Sequence, residues 1–173
     1  MHVYGWAEAD GARAWSQAGF RKDHRCADQA LVLRTLVEGA RERGQNLVVV
    51  YVDLEKVYDR VNRELLWAKL AERGMPAGLI DAVKVVYADV QMCVRSGGEL
   101  SRAFATTVGV KQGCPMSCTL WGLYFDDAPD VVIALGAAAE LPELCGRPVP
   151  SLMFADDLAH GRADAARRAR GLL

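Results

Sequence analysis

No apolar run in this sequence approaches the roughly 20 residues that a helix needs to cross a bilayer. The opening Met1-His2-Val3-Tyr4-Gly5-Trp6 also lacks the charged-then-apolar layout of a secretory signal. Membrane association is therefore not expected, and cytoplasm or nucleus is the implied compartment. Paired cysteine clusters are missing too. The five cysteines, at 26, 93, 114, 118 and 145, are odd in number and form no C-x-x-C pair, and the histidines at 2, 24 and 160 are scattered. That excludes a zinc site and a disulfide framework, and predicts reduced, mostly buried thiols. Charge of one sign is also lacking: Lys+Arg 21 against Asp+Glu 22 leaves a net −1 and a pI of about 6.3. A broadly basic surface is excluded, so any phosphate-binding face must be local.

What the sequence does hold is material for a core. Its 173 residues are 51% hydrophobic and 25% charged, which is ordinary globular usage at a length that suits one domain. The residues before Ser16 carry no clear period and read as an irregular lead-in. From Asp28 to Arg43 the apolar positions Ala30, Leu33, Leu36, Val37 and Ala40 recur at amphipathic-helix spacing, with Gly44 placed to stop the helix. Leu47 to Val52 is an unbroken, largely β-branched run that predicts a strand buried on both faces and ending in Asp53. Asn62 caps a helix running to Arg73 and closed by Gly74, and Pro76 opens another to about Asp89. Val90 to Arg95 and Leu100 to Thr107, joined by Gly97-Gly98, read as a hairpin. A loop over Gly109 to Pro115 leads into an apolar helix. Val149 to Phe154 is a further strand, and the Ala- and Arg-rich stretch from Ala163 to Leu173 suits a basic helix. These elements predict one α+β unit.

Two of the strands end in carboxylates: one delivers Asp53, the other Asp156 and Asp157. If the strands are neighbours, the three converge at one sheet edge, where they repel unless something compensates them. A divalent ion does so, and Mg²⁺ favours one or two carboxylates plus substrate phosphates. Two such ions align an in-line displacement at phosphorus. The plain alternative is that an Asp-Asp pair is only a polar turn.

Around these carboxylates the residues resemble a known family. Phe154-Ala155-Asp156-Asp157 is similar to the aromatic-Ala-Asp-Asp signature of reverse transcriptases. Val52-Asp53-Leu54-Glu55-Lys56-Val57-Tyr58-Asp59 resembles the first catalytic motif of non-LTR (LINE-type) retrotransposon polymerases, Asp-Leu-x-Lys-Ala-Phe-Asp. Gly109-Val110-Lys111-Gln112-Gly113-Cys114-Pro115-Met116-Ser117 is similar to their motif between the acidic elements, and Gln17-Ala18-Gly19-Phe20-Arg21-Lys22 to the segment before the first motif. The four stand in the family's order and cover most of the chain.

The resemblance implies a polymerase palm, a small antiparallel sheet packed on helices, with partial fingers and no thumb. It implies that Asp53 and Asp156 are the principal ligands of two Mg²⁺ ions (Mn²⁺ being a substitute), with Asp157 supporting them. Tyr58 would lie against the sugar of the incoming nucleotide, where its ring clashes with a 2′-hydroxyl. Gln112 would hydrogen-bond the template or the nascent pair, and Gly113 would let backbone approach the nucleotide. Arg21 and Lys22 would meet template phosphates. The implied partners are an RNA template, a DNA primer, deoxynucleotides (dNTPs) and the rest of a longer polyprotein. Plainer roles fall to Asp59, paired with Arg60 or Arg63, to Leu66 and Trp67 as core, and to Asp126-Asp127 as a helix end.

The chain also departs from the family's pattern. One arginine, Arg13, precedes Gln17, so the basic fingers hairpin that grips the triphosphate is not expected. After Asp157 the chain reaches Leu173 without room for a primer-gripping segment and thumb. His160-Gly161-Arg162 stands where an apolar return strand is usual, which predicts a weak or short arm. Asp23-His24-Arg25-Cys26 replaces small hydroxyl-rich residues, and Gly122 stands where asparagine is common. The expected organisation is one partial reverse transcriptase domain over 1–173: a fingers-to-palm lead-in over 17–45 and a palm core over 46–173, truncated after the acidic pair. Two functions follow as expectations. One is an RNA-directed DNA polymerase fragment that transfers nucleotides from dNTP to a primer 3′-hydroxyl; the other is a non-catalytic remnant with at most weak nucleic-acid or protein binding. Another two-metal phosphotransferase, such as a nuclease, is a third. The missing hairpin and thumb predict that the isolated chain is inactive in synthesis.

Overall fold

Caps and glycines set most element boundaries. The computed structural model describes residues 2–9, 11–136 and 141–165. Along the chain lie α1 (Val3–Ala9), α2 (Cys26–Glu42), β1 (Gln45–Val52), α3 (Arg63–Glu72) and α4 (Ala77–Ala88). Short strands β2 (Gln91–Met92), β3 (Arg95–Ser96), β4 (Glu99–Leu100) and β5 (Phe104–Ala105) follow, then α5 (Pro115–Phe125) and α6 (Ala128–Gly136). The remaining strands are β6 (Glu143–Leu144), β7 (Arg147–Pro148), β8 (Ser151–Phe154) and β9 (Asp157–Ala165). Two compact units result: one from Met1–Arg13 and Glu55–Phe125, the other from Ala14–Leu54 and Asp126–Leu173. Among the described residues no helix is long and apolar enough to cross a membrane.

The first unit is mostly helical. Asn62 Oδ1 accepts from the Leu65 N–H at 3.0 Å, which caps α3 as its sequence predicts. Leu66, Trp67 and Leu70 of α3 are buried, as are Ile80, Val83 and Tyr87 of α4 and Leu120, Trp121 and Leu123 of α5. The ladder after α4 is a broken hairpin in which β2 pairs β5 and β3 pairs β4. Its turn is Gly97-Gly98, both at positive φ (60° and 88°), as a two-residue I′ loop requires. The lead-in expectation needs correcting, because α1 is a helix with Val3, Trp6 and Ala7 buried. So short a helix is marginal alone and is held by burial, a tertiary effect that its own sequence does not reveal.

The second unit is a sheet in the order β1-β9-β8, antiparallel throughout, with α2 on one face. Asp28 accepts from the Arg25 N–H at 2.8 Å to start α2, and Gly44 at φ +63° ends it. Leu36 of α2, Val149 and Leu152 form its core, with Leu33, Leu47 and Ala159 packed against it. Three expectations fail here. β1 is not buried on both faces: it is an edge strand, and Val48 and Val50 are 49% and 53% exposed on the face away from Leu47 and Val49. The return arm is neither weak nor short. β9 runs nine residues as the central strand: both neighbours ladder it as far as His160, and β1 alone carries it on through Gly161 and Arg162, with the Gly161 N–H donating to the Pro150 carbonyl at 3.0 Å. Glycine also eases the packing at 161, since a Cβ there would stand 3.0 Å from Pro142 Cγ. The basic helix expected from Ala163 is strand as far as Ala165, and the rest of it lies outside the described residues. The thiols are free as expected but not mostly buried: Cys26, Cys93 and Cys145 are exposed.

Beyond β8 the sheet gains one parallel bridge, Gln17 to Met153. Met153 N–H donates to the Ser16 carbonyl and Ala18 N–H to the Met153 carbonyl, each at 2.9 Å. The segment then passes so close to the β8–β9 turn that a Cβ on Gly19 would overlap the Ala155 backbone nitrogen and stand 2.7 Å from its Cα. Backbone cannot yield as a flexible side chain does. Gly19→Ala is therefore expected to cost about 1–3 kcal/mol, read as a lower midpoint in urea unfolding.

Candidate active site

The β8–β9 turn presents the acidic pair. Phe154 faces Asp157 across the ladder, which leaves Ala155-Asp156 as a two-residue loop. Ala155 has φ +57° and Asp156 is not positive, the sign pattern of a II′ turn whose first position ordinarily takes glycine. A non-glycine residue there costs on the order of 1 kcal/mol or more. On the other side of β9, β1 ends with Val52 opposite Leu158. One residue further the same register brings Asp53 opposite Asp157. Both are exposed and Asp156 is half-buried in the turn.

Strand alternation puts Asp53 and Asp157 on the face that α2 covers. They line one cavity of about 330 Å³ there with Cys26, Gln29, Tyr51 and Phe154, among others. Among the described residues no group of three or more His, Cys, Asp or Glu is gathered to hold an ion. Two oxygen donors at an open edge nevertheless suit Mg²⁺, which takes one or two carboxylates and fills its shell from substrate phosphate and water.

The Gln17–Lys22 segment belongs to the same unit. Gln17 is fully buried, and its carboxamide bonds to Gly19 and Ala155. Arg21 is turned inward: its Nη1 donates to the carbonyls of Ala14 (3.1 Å) and Gln17 (3.3 Å), while Lys22 is exposed.

Tyr58, Gln112 and Gly113 lie in the other unit. Tyr58 is half-buried, its hydroxyl 3.6 Å from Cys118 Sγ and its ring 6.2 Å from that of Trp121. Gln112 Nε2 donates to Asp59 Oδ1 at 2.8 Å, and both are exposed. Asp59 is thus paired with Gln112, not with Arg60 or Arg63 as its neighbours in sequence suggest. Gly113 has φ +79°, in the left-handed region that favours glycine.

Sequence reasoning missed Arg63. Its guanidinium is buried and donates to the carbonyls of Thr106 (2.7 Å), Gly109 (2.8 Å), Val108 (3.0 Å) and Tyr87 (3.3 Å), and to Thr106 Oγ1 (3.1 Å). It pins the backbone that leads into Lys111-Gln112-Gly113. Burial lowers its pKa, and the neighbouring Tyr87 acts in the opposite sense. No local signal marks the role, because a basic residue at a helix start reads as solvated.

His160 lies opposite Ser151, its Nδ1 3.0 Å from Ser151 Oγ. Burial lowers its pKa below the ordinary 6.5, so the unfolded chain takes up this proton first as pH falls. Stability is expected to drop as pH falls through 6.5 and to level off below the folded pKa. In His160→Gln that component should be absent from a melting-temperature series against pH.

Comparison with known proteins bears on these motifs. The model of the family described as reverse transcriptase (RNA-dependent DNA polymerase) matches residues 13–165. The transposon TX1 uncharacterized 149 kDa protein of Xenopus laevis is 31% identical over 96 residues, 56% of this chain and 7% of that protein. The retrovirus-related Pol polyprotein from type-2 retrotransposable element R2DM of Drosophila melanogaster is 27% identical over 110 residues, 64% of this chain and 10% of the polyprotein. That of the type-1 element R2 of Popillia japonica is 26% identical over 128 residues, 74% of this chain and 21% of the polyprotein. The chain thus spans a small part of each. Among solved structures, telomerase from Candida albicans in complex with a telomeric RNA fragment aligns at TM-score 0.62 and 14% identity, over 94% of this chain and 29% of that one. Apo telomerase from Candida tropicalis aligns at TM-score 0.57 and 13% identity, over 95% and 32%. Those two likenesses speak for the fold alone.

Proposed function

The chain belongs to the reverse transcriptase (RNA-dependent DNA polymerase) family, with relatives among non-LTR retrotransposon polyproteins, and we propose that it supplies the nucleotidyl-transfer centre of such a polymerase. One observation carries this: the sheet register brings Asp53 opposite Asp157, beside the turn that bears Asp156. The reaction is attack by a primer 3′-hydroxyl on the α-phosphorus of a dNTP, directed by an RNA template, with pyrophosphate leaving.

Asp53, Asp156 and Asp157 offer the oxygens that would hold two Mg²⁺ ions. Bound there, the ions supply charge neutralisation at the phosphates and in-line alignment of the attack. The Tyr58 ring excludes a 2′-hydroxyl from the sugar site. The Gln112 carboxamide exchanges Asp59 for the template or the nascent pair, and Gly113 lets backbone approach it. Lys22, with Arg21 behind it, meets template phosphate. Residues 1–173 act as one partial polymerase domain of a longer polyprotein, with 17–45 leading into the core over 46–173.

The second reading is a non-catalytic remnant with at most weak nucleic-acid or protein binding, in which the exposed Asp53 and Asp157 are plain strand-end residues. Single-nucleotide addition to a primed RNA template separates the two. Mg²⁺-dependent addition of a deoxynucleotide is expected of the longer polyprotein that carries this domain, not of the isolated chain. Absence of addition together with absence of Mn²⁺ binding would establish the remnant, and cleavage without addition would point to a nuclease.

A further inference from the structure

Ala155 opens the turn that presents Asp156 and holds φ +57° without being glycine. A side chain in that region is disfavoured because its Cβ crowds the following carbonyl. Such a conformation persists only where the surroundings over-determine it. At Ala155 a single side chain meets both backbone groups. Gln17 is 0% exposed, its Oε1 accepts from the Ala155 N–H at 3.1 Å, and its Nε2 donates to the Ala155 carbonyl at 3.1 Å. The same Oε1 accepts from the Gly19 N–H at 2.8 Å. Reversing the amide would oppose like groups at all of these contacts, so its orientation is set. The Gln17 backbone is itself fastened to β8 through the Ser16 and Ala18 bonds to Met153, and the absent Gly19 Cβ lets the two chains close.

We propose that Gln17 is a positioning residue for the acidic pair: its buried carboxamide, bonded to both backbone groups of Ala155, holds the turn in the left-handed form that sets Asp156 beside Asp53 and Asp157. It touches no substrate and acts through Ala155. The role rests on the polymerase reading of those carboxylates. Only a carboxamide of this length serves. Glutamate keeps the acceptor but has no donor for the Ala155 carbonyl, methionine fills the volume with neither, and asparagine is one methylene short of spanning both groups.

The test uses the whole chain with Mn²⁺ as the probe. Affinity is followed by the loss of the free-ion EPR signal, Ala155 amide exchange by NMR, and the melting temperature separately. Gln17→Met and Gln17→Glu are expected to weaken Mn²⁺ binding by roughly tenfold or more, the usual effect of removing a group that orients a ligand. Both should speed Ala155 exchange. Asp53→Asn should weaken Mn²⁺ binding and leave the Ala155 amide protected. Gln17 variants with wild-type Mn²⁺ affinity well below their melting temperature would make Gln17 a packing residue and overturn the proposal. If Gln17→Met does not fold, Gln17→Asn carries the same comparison. Failure of the polymerase reading looks different. Wild-type Mn²⁺ binding that Asp53→Asn does not change would sink that reading, and the positioning role with it, even where Ala155 exchange responds to Gln17.

Discussion

In the polyprotein that carries this domain, Asp53→Asn and Asp156→Asn should each abolish the proposed Mg²⁺-dependent nucleotide addition while leaving the fold intact. The two halves of that expectation have separate causes. Removing a group that merely orients a ligand commonly costs 10- to 100-fold, so losing the ligand's charge should cost more than about 100-fold. An amide preserves shape and hydrogen bonding but takes away the negative charge that holds a divalent ion and offsets phosphate. Stability should scarcely move, because Asp53 is exposed and Asp156 sits half-buried in a turn. Substitutions at such sites usually fall within about 0.5 kcal/mol. Paired primer-extension and urea-unfolding measurements decide the matter. An asparagine variant that unfolds early would show the carboxylate to be structural, and one that retains addition would remove it from the centre.

Arg63→Leu has the largest stability effect expected in the chain. The guanidinium answers the carbonyls of Tyr87, Thr106, Val108 and Gly109, so one side chain satisfies backbone from two stretches of its unit. Leucine leaves those acceptors without their donor, at about 1–3 kcal/mol for each that stays dry. A total near 4 kcal/mol is expected once water reaches some of them, a fall of roughly 10 °C in melting temperature at this size. Arg63→Lys should recover only part of the loss, since an ammonium is a point donor where the guanidinium is a planar fork. Limited proteolysis between Thr106 and Gln112 should rise in parallel. A leucine variant that melts with the wild type would show that solvent, not Arg63, satisfies that loop.

Much of this was legible from local signals. The Asn62 cap, the Gly44 stop, the Gly97-Gly98 turn and the start of α5 at Pro115 all depend on residues near one another in sequence, and each stands as expected. The pairing of Asp59 with Gln112 did not follow, because the partner lies in a distant loop. The role of β9 was hidden for a related reason. Composition marked His160-Gly161-Arg162 as a poor strand, but pairing with the distant β1 holds all three residues, and β8 pairs His160 from the other side. For β1 the error ran the other way: an unbroken apolar run suggested two covered faces, whereas the strand takes the edge.

By itself the sequence determined the acidic residues, their order and the strand ends that carry them, because strand propensity and turn chemistry act over a few residues. Only the tertiary structure decided that the β1–β9 register carries Asp53 opposite Asp157, and that Gln17 reaches the Ala155 backbone. Both depend on contacts between distant stretches of chain, set by sheet register and close backbone approach, and no local pattern encodes them.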